Sequence, residues 1–372
     1  MPSVDVAVVG GGPAGAACAI RCAQEGLSVA LVERSARPVS RPGESLHPGF
    51  EPLLGELGLG QDLLDAGFPR HDGHWVRNGD EACYVRYGGD DDGPWRGFQA
   101  GRAELDAMLL GRAEVLGVTL HRPWAGAAPV VEGGRVVGVS SKEGMIQARF
   151  VVDATGGRHW LARRRSLPIR YHSPPLIARF GYARGAYPAL EAAPIFTAEP
   201  EGWSWAARVG EGLYAWTALA LKSGGRVGPP EAIKDLTPLG KERRADVTWR
   251  SVRQAAGVGY YLVGDAAGVL DPASSHGVLR AVASGIKAGH LIASSLVRAL
   301  PESTAARLYS EWSSRWLGHD LEALHERYAA AWAPRPKASA GTTLPAHQAE
   351  DRPEPEAGLL GRLNDARTEI PG

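Results

Sequence analysis

The sequence predicts an α/β fold: a parallel-sheet nucleotide-binding domain with an inserted antiparallel-sheet lobe and C-terminal helices. Three observations predict it. The chain opens on a near-continuous apolar, β-branched run, Val4-Asp5-Val6-Ala7-Val8-Val9, which suits a strand buried on both faces. Residues 169–249 instead alternate apolar and polar positions among many Gly and Pro, as an antiparallel sheet with one wet face does. Residues 304–332 are amphipathic at helical spacing. At 372 residues and 44% hydrophobic composition the chain can bury one large core and a smaller one, so two lobes are expected.

Gly10-Gly11-Gly12-Pro13-Ala14-Gly15 closes the first strand. Gly10, Gly12 and Gly15 fit the dinucleotide fingerprint: the first makes the tight turn, the second lets the backbone approach a pyrophosphate, and the third packs helix on strand. A helix over residues 14–26 follows, its positive N-terminal end available to phosphate. Residues 28–32 form a second apolar strand ending at Glu33, where a carboxylate accepts from a ribose hydroxyl, with Arg34 beside it. Strand, helix and acid at roughly the 20-residue offset make a Rossmann-type βαβ unit. Such a unit suits either NAD or FAD and does not distinguish them.

Next come the loop Arg41-Pro42-Gly43-Glu44-Ser45 and short helical stretches near residues 51–57 and 61–66. Residues 74–77 and 82–87 read as a hairpin around Asn78-Gly79. A helix over residues 102–116 has apolar spacing at Leu105, Met108, Leu109 and Leu116, with Arg102 and Asp106 toward its start. Strands follow at 118–121, 128–132, 135–140 and 145–152, with Gly133-Gly134 as a hairpin turn, and Asp153-Ala154-Thr155-Gly156 ends the series. After the lobe a buried strand at 260–263 leads into Gly264-Asp265-Ala266-Ala267-Gly268, then Asp271-Pro272 and a helix from Gly277 to about residue 300. The expected organisation is a discontinuous nucleotide-binding domain (1–70, 98–165, 250–300), a substrate lobe (71–97, 166–249), a helical segment (301–333) and a Pro-rich tail (334–372).

Basic and acidic residues balance at 41 each, so no long-range field favours nucleic acid or an anionic membrane. No apolar run approaches the roughly 18 residues of a membrane span, and no signal-peptide pattern precedes the first strand. Three cysteines, two of them one helical turn apart at Cys18 and Cys22, suit packing in a reducing compartment. A cytoplasmic protein is expected, with no metal site. Of eleven tryptophans, most are expected in the core. Arg163-Arg164-Arg165 reads as a solvated face, or else as a contact for an acidic partner or NAD(P)H.

With Gly10 to Gly15, Arg102-x-x-x-Asp106, Asp153-Ala154-Thr155-Gly156 and Gly264-Asp265 in this order, the chain resembles the FAD-dependent monooxygenases of the hydroxybenzoate-hydroxylase type over most of residues 1–300. The resemblance implies FAD as cofactor. It implies that Asp265 holds the ribityl chain, that Arg102 lies near phosphate and ribityl groups, and that the helix opening at Gly277-Val278 aims its N-terminus at the pyrimidine ring. A positive helix end there stabilises an anionic reduced flavin. Electrons would come from NAD(P)H or a separate flavin reductase.

Gly43-Glu44-Ser45, residues 53–66, Ala66-Gly67-Phe68-Pro69-Arg70 and Gly202-Trp203-Ser204-Trp205 are similar to the flavin-dependent halogenase branch. That branch carries a lysine after the Gly-Phe segment, where this chain has His71. It carries Ser or Thr before a glycine near the Asp-Pro pair, where this chain has His276 before Gly277. The Ile-Pro that follows Trp-x-Trp in many halogenases is Ala207-Arg208 here. The expectation is therefore hydroxylation of an indole or phenol through a flavin C4a-hydroperoxide. Residues 271–281 look closest to flavoproteins that mature quinoprotein oxidases, which act on a tryptophan in a partner protein. A partner oxidase and a peptide-borne tryptophan follow as expectations beside a small aromatic substrate. A halogenase, a prenyl-chain reductase and a non-catalytic FAD-binding assembly partner remain the alternatives.

His276 is the expected catalytic neighbour of the flavin and His71 a substrate contact, with His47 a weaker candidate. Glu44 and Ser45 are expected over the isoalloxazine ring. Trp203 and Trp205, two apart on a strand, share one side and can line one wall or simply fill the lobe's core.

Overall fold

The computed structural model describes residues 3–199, 201–221 and 228–332, so the Pro-rich tail lies outside the described residues. Strand β1 (Ser3–Val9) is the centre of an eight-stranded sheet. It pairs in parallel with β2 (Val29–Val32) on one side and with the long strand Gly144–Asp153 on the other. Residues 6–9 and 29–32 are all buried, as their apolar runs require. Thr119–His121 extends the sheet beyond β2. Gly144–Asp153 serves two neighbours along its far side: its first half pairs antiparallel with Arg135–Ser141, its second half parallel with Tyr260–Leu262.

Helix α1 (Pro13–Gln24) connects β1 to β2, and its Ala, Ile and Cys residues are buried except for half-buried Ala23. Helices α2 (Phe50–Glu56) and α3 (Gly60–Asp65) follow, then α4 (Arg102–Val115), the short α5 (Trp160–Arg164), α6 (Gly277–Val297) and α7 (Glu302–Trp332). α1 and α6 approach to backbone contact: a Cβ added at Gly285 would lie 2.3 Å from the Ala14 carbonyl oxygen. No helix among the described residues is long and apolar enough to cross a membrane.

The lobe is a seven-stranded sheet in the order Thr237–Asp246, Ile177–Arg184, Leu213–Ala220, Gly202–Gly210, Ile195–Glu199, Gly73–Asn78, Glu81–Arg86. Two features depart from the sequence reading. Ile195–Glu199 runs parallel to Gly73–Asn78, because these strands come from distant parts of the chain and no hairpin dictates their direction. Ile169–Tyr171 pairs with Arg250–Val252, outside the lobe sheet.

α7 belongs to both lobes. Tyr309, Trp312 and Trp316 pack into the main core, whereas Leu324 and Tyr328 join Trp203, Trp249 and Leu270 in a lobe cluster.

Candidate active site

A cavity of about 720 Å³ lies where the loop after β1, the start of α6 and the lobe sheet meet, well within the range of small-molecule sites. Gly10, Gly12, Pro13 and Ala14 form one part of its wall. Gly10 has φ +111°, and a Cβ there would sit 2.4 Å from the Ala154 carbonyl oxygen. Gly15 lies behind the wall, where a Cβ would meet the Gly10 carbonyl oxygen at 2.0 Å. At Gly12 a Cβ would meet nothing within 4 Å, so the missing side chain leaves room for a ligand against the backbone.

Gly277 and Val278 line the opposite side, and Gly277 is likewise open. Gly264 packs against Ala14 one layer back. Gly12 and His276 are the N-caps of α1 and α6, and neither helix start receives a side-chain cap. Two helix N-termini with unspent N–H groups thus border one cavity, which favours anionic groups.

Charged residues complete this half. Glu33 is pinned, its Oε2 accepting from Gly11 N at 2.8 Å and its Oε1 from Ser35 N at 2.9 Å, and with Arg34 it lines the cavity. Arg102 is buried at the wall, donating to Pro42 O at 2.8 Å and pairing with Asp106 at 3.3 Å. Burial pushes the Asp106 carboxyl up, and Arg102 opposes that shift. Asp265 reaches the cavity half-exposed, 3.6 Å from the Arg280 guanidinium. Asp153 is buried and receives Thr155 N and Leu161 N, which shapes the turn at Ala154 to Gly156. Open backbone at Gly12 and Gly277, two uncapped helix starts and carboxylates at Glu33 and Asp265 fit the pyrophosphate, flavin ring, ribose and ribityl groups of FAD.

The lobe supplies the remaining wall. Phe196, Trp203, Trp205, Thr217 and Val247 line it, beside Leu270 and Asp271 from the other lobe. Trp203 Nε1 donates to Tyr328 Oη at 2.9 Å, and Trp205 Nε1 donates to Ser45 Oγ at 2.9 Å. Ser45 and Glu44 line the cavity too, and Glu44 Oε1 accepts from Tyr182 Oη at 2.5 Å. Burial raises the Glu44 carboxyl, and burial pushes that of Asp271 up to about 6.

The sequence reading put His276 beside the flavin and His71 against the substrate. Neither is among the residues that line the cavity. His71 is buried with both ring nitrogens engaged, Nδ1 at 2.9 Å from Gly73 O and Nε2 at 2.9 Å from Gln99 Nε2. A carbonyl only accepts, so Nδ1 carries the proton and Nε2 accepts from the Gln99 amide. His276 caps α6, but its ring turns to Asp320 of α7 at 3.1 Å and packs edge-on against His47. The pull of a buried carboxylate on another helix decides its direction, which no local spacing reveals.

Sequence reasoning missed Arg41, Trp124, Phe196 and Arg280 on the wall, and Gln99 and Tyr328 behind it. Arg280 stands one turn inside α6, a position that the motif at Gly277 could have drawn attention to, and Arg41 opens the loop that carries Glu44 and Ser45; the others carry no local signal. Arg163 and Arg164 line the cavity, whereas Arg165 donates to Gly134 O. Among the described residues no group of three or more His, Cys, Asp or Glu could hold a metal ion.

Comparison with known proteins accords with this geometry. The FAD binding domain family matches residues 3–193. A tryptophan 2-halogenase of Chondromyces crocatus is 28% identical over 345 residues; the match covers 82% of this chain and 64% of that protein's length. A 1H-pyrrole-2-carbonyl-[peptidyl-carrier protein] brominase of Pseudoalteromonas luteoviolacea is 27% identical, with 84% of this chain and 82% of the relative covered. The myxobacterial chondrochloren halogenase superimposes with a TM-score of 0.78 at 27% identity, covering 88% of this chain and 83% of that one. The chain belongs to the FAD binding domain family, and its similarities lie in the halogenase-like branch of those flavoproteins.

Proposed function

We propose that this protein is an FAD-dependent monooxygenase that hydroxylates an electron-rich aromatic ring, an indole or a phenol, and that a tryptophan held in a partner protein is its sharpest candidate substrate. One observation carries the choice of hydroxylation: among the described residues no lysine lines the cavity. At the position where the halogenase resemblance implies one, His71 is sealed behind the wall with both nitrogens spent. Nothing there offers an ammonium to an oxidised halogen.

Bound FAD, reduced by NAD(P)H or a separate flavin reductase, supplies the electrons that activate dioxygen. Gly12, the start of α1, Glu33, Arg102, Asp265 and the start of α6 would hold it. The chain's own part is positioning and shielding. Phe196, Trp203 and Trp205 present aromatic surface to a flat ring on the lobe side of the cavity. Glu44 is a buried carboxyl of the wall whose proton affinity is raised, which suits it to hold a proton as charge develops on the substrate.

A halogenase is the second reading, favoured by the names of the relatives. The test is reconstitution with FAD, a flavin reductase and NADH under oxygen-18 gas, with bromide and chloride present and indole or a short tryptophan peptide as substrate. Mass spectrometry should show labelled oxygen in the ring and no halogen. Halogenated product at a comparable rate would reverse the assignment.

A further inference from the structure

We propose that Tyr328 and the His71–Gln99 pair are positioning residues: they keep the indole N–H groups of Trp203 and Trp205 occupied by the protein, so that this wall selects a ring by its faces and not by hydrogen bonding. The inference rests on the aromatic reading of the cavity and adds how the aromatic ligand is chosen.

Two hydrogen-bond chains lead away from the wall. In the first, Trp203 Nε1 donates to Tyr328 Oη at 2.9 Å, and Tyr328 donates to Asp271 Oδ2 at 2.5 Å. Asp271 is itself anchored, its Oδ1 accepting from Ala273 N at 2.8 Å. In the second, Trp205 Nε1 donates to Ser45 Oγ at 2.9 Å, and Ser45 donates to Gln99 Oε1 at 2.8 Å. The Gln99 amide then donates to His71 Nε2 at 2.9 Å, and His71 Nδ1 donates to Gly73 O at 2.9 Å.

The proton positions in both chains are determined. An indole has one N–H and no acceptor, and a hydroxyl has one proton to give. Tyr328 gives its proton to a carboxylate and Ser45 gives its proton to a carbonyl, so each hydroxyl oxygen is left to accept an indole N–H. The second chain needs His71 neutral with the proton on Nδ1; burial, which pulls the imidazole down to about 4, maintains that form. The second chain ends on the Gly73 carbonyl, which only accepts, and the first on Asp271, which only accepts while its carboxyl is ionised. With both N–H groups spent, Trp203 and Trp205 offer a ligand only carbon atoms and ring faces. A ligand atom that seeks a donor from these two indoles is left unpaired and binds less tightly by about tenfold.

The test uses FAD-loaded protein labelled with nitrogen-15 at the tryptophan indoles, the two signals assigned through Trp203→Phe and Trp205→Phe. Of these two signals, Tyr328→Phe should move only that of Trp203. Gln99→Leu should move the Trp205 signal although Gln99 does not touch that indole, and Gln99→Glu, which keeps an acceptor for Ser45, should restore it. In parallel, flavin absorbance reads the binding of indole and of benzimidazole, whose second ring nitrogen seeks a donor. Wild type should prefer indole by about tenfold, and Tyr328→Phe should narrow that ratio at least threefold, by roughly the share of a lost hydrogen bond. Unmoved signals, or an unchanged ratio with wild-type binding intact, overturn the relay alone. Failure of wild type to bind either ring overturns the aromatic reading and this inference with it.

Discussion

At Gly12 an added methyl group meets nothing within 4 Å, whereas at Gly15 it would lie 2.0 Å from a carbonyl oxygen. The two glycines therefore fail differently. Gly12→Val should fold with near-native stability yet lose FAD retention, because its side chain occupies ligand space. Gly15→Ala should cost about 1–3 kcal/mol in urea unfolding of the FAD-free protein. Equal stability losses in both variants would contradict this division. Charge at single residues sets a second pair of predictions. Burial pulls His71 to about 4 from an ordinary 6.5. Between those values the unfolded chain binds a proton that the folded chain refuses, so acidification from pH 6.5 to 4 removes up to about 3 kcal/mol. Asp271 acts oppositely: its carboxyl, raised from 3.8 to about 6, takes up a proton in the folded state first, so acidification through that window returns a similar amount, about 3 kcal/mol. The stability of His71→Asn should be less acid-sensitive than wild type, and that of Asp271→Asn more so. Urea unfolding at pH 7 and pH 4.5 measures both, and parallel slopes in all three proteins would refute the assignment.

Helices α1 and α6 deliver the two N-termini that border the cavity, and their spacing depends on glycine. A Cβ at Gly285 would press to 2.3 Å from Ala14 O and 2.9 Å from Cys18 N, and one at Gly289 to 2.9 Å from the Arg21 side chain. Backbone cannot yield as a flexible side chain can. Gly285→Ala should therefore separate the helices, cost about 1–3 kcal/mol, and weaken FAD binding by moving Ala14 and Gly12 relative to Gly277. Titration of FAD-free protein with FAD reads the second effect. Full affinity in a destabilised Gly285→Ala would show that helix spacing does not set the cradle.

Across the whole molecule, the cavity is also the seam between the main sheet and the lobe sheet, with walls from β1, α1, α6 and the lobe sheet. A ligand bound in that seam holds only the folded state together. FAD at a hundred times its dissociation constant should add about 2.7 kcal/mol to the unfolding free energy of wild type, measurable as a raised thermal midpoint. Asp265→Ala should fold and show a much smaller rise at the same FAD concentration, through loss of a charge-assisted bond to a ribityl hydroxyl. An identical rise in that variant would remove Asp265 from the cradle. α7 extends the same logic without a ligand, since one helix carries Trp312 into the main core and Tyr328 into the lobe cluster.

Much of this architecture is written in local pattern. The apolar run at residues 4–9, the glycines at 10, 12 and 15 and the turns at Asn78-Gly79 and Gly133-Gly134 all state their backbone geometry within a few residues. That Gly10, Gly12, Pro13 and Ala14 would line a cavity was legible for the same reason: this wall is made of backbone, and backbone conformation depends on near neighbours. The substrate half was not. His71 and His276 occupy telling positions in the chain, yet Gln99, 28 residues from His71, and Asp320, 44 residues from His276, decide where their rings point. Trp203 and Trp205 could be placed on one side of a strand from spacing alone, but their N–H groups are committed by Tyr328 and Ser45, 125 and 160 residues away. A side chain's direction is settled by the partner that satisfies its polar atoms, and in a buried site that partner arrives from anywhere in the chain.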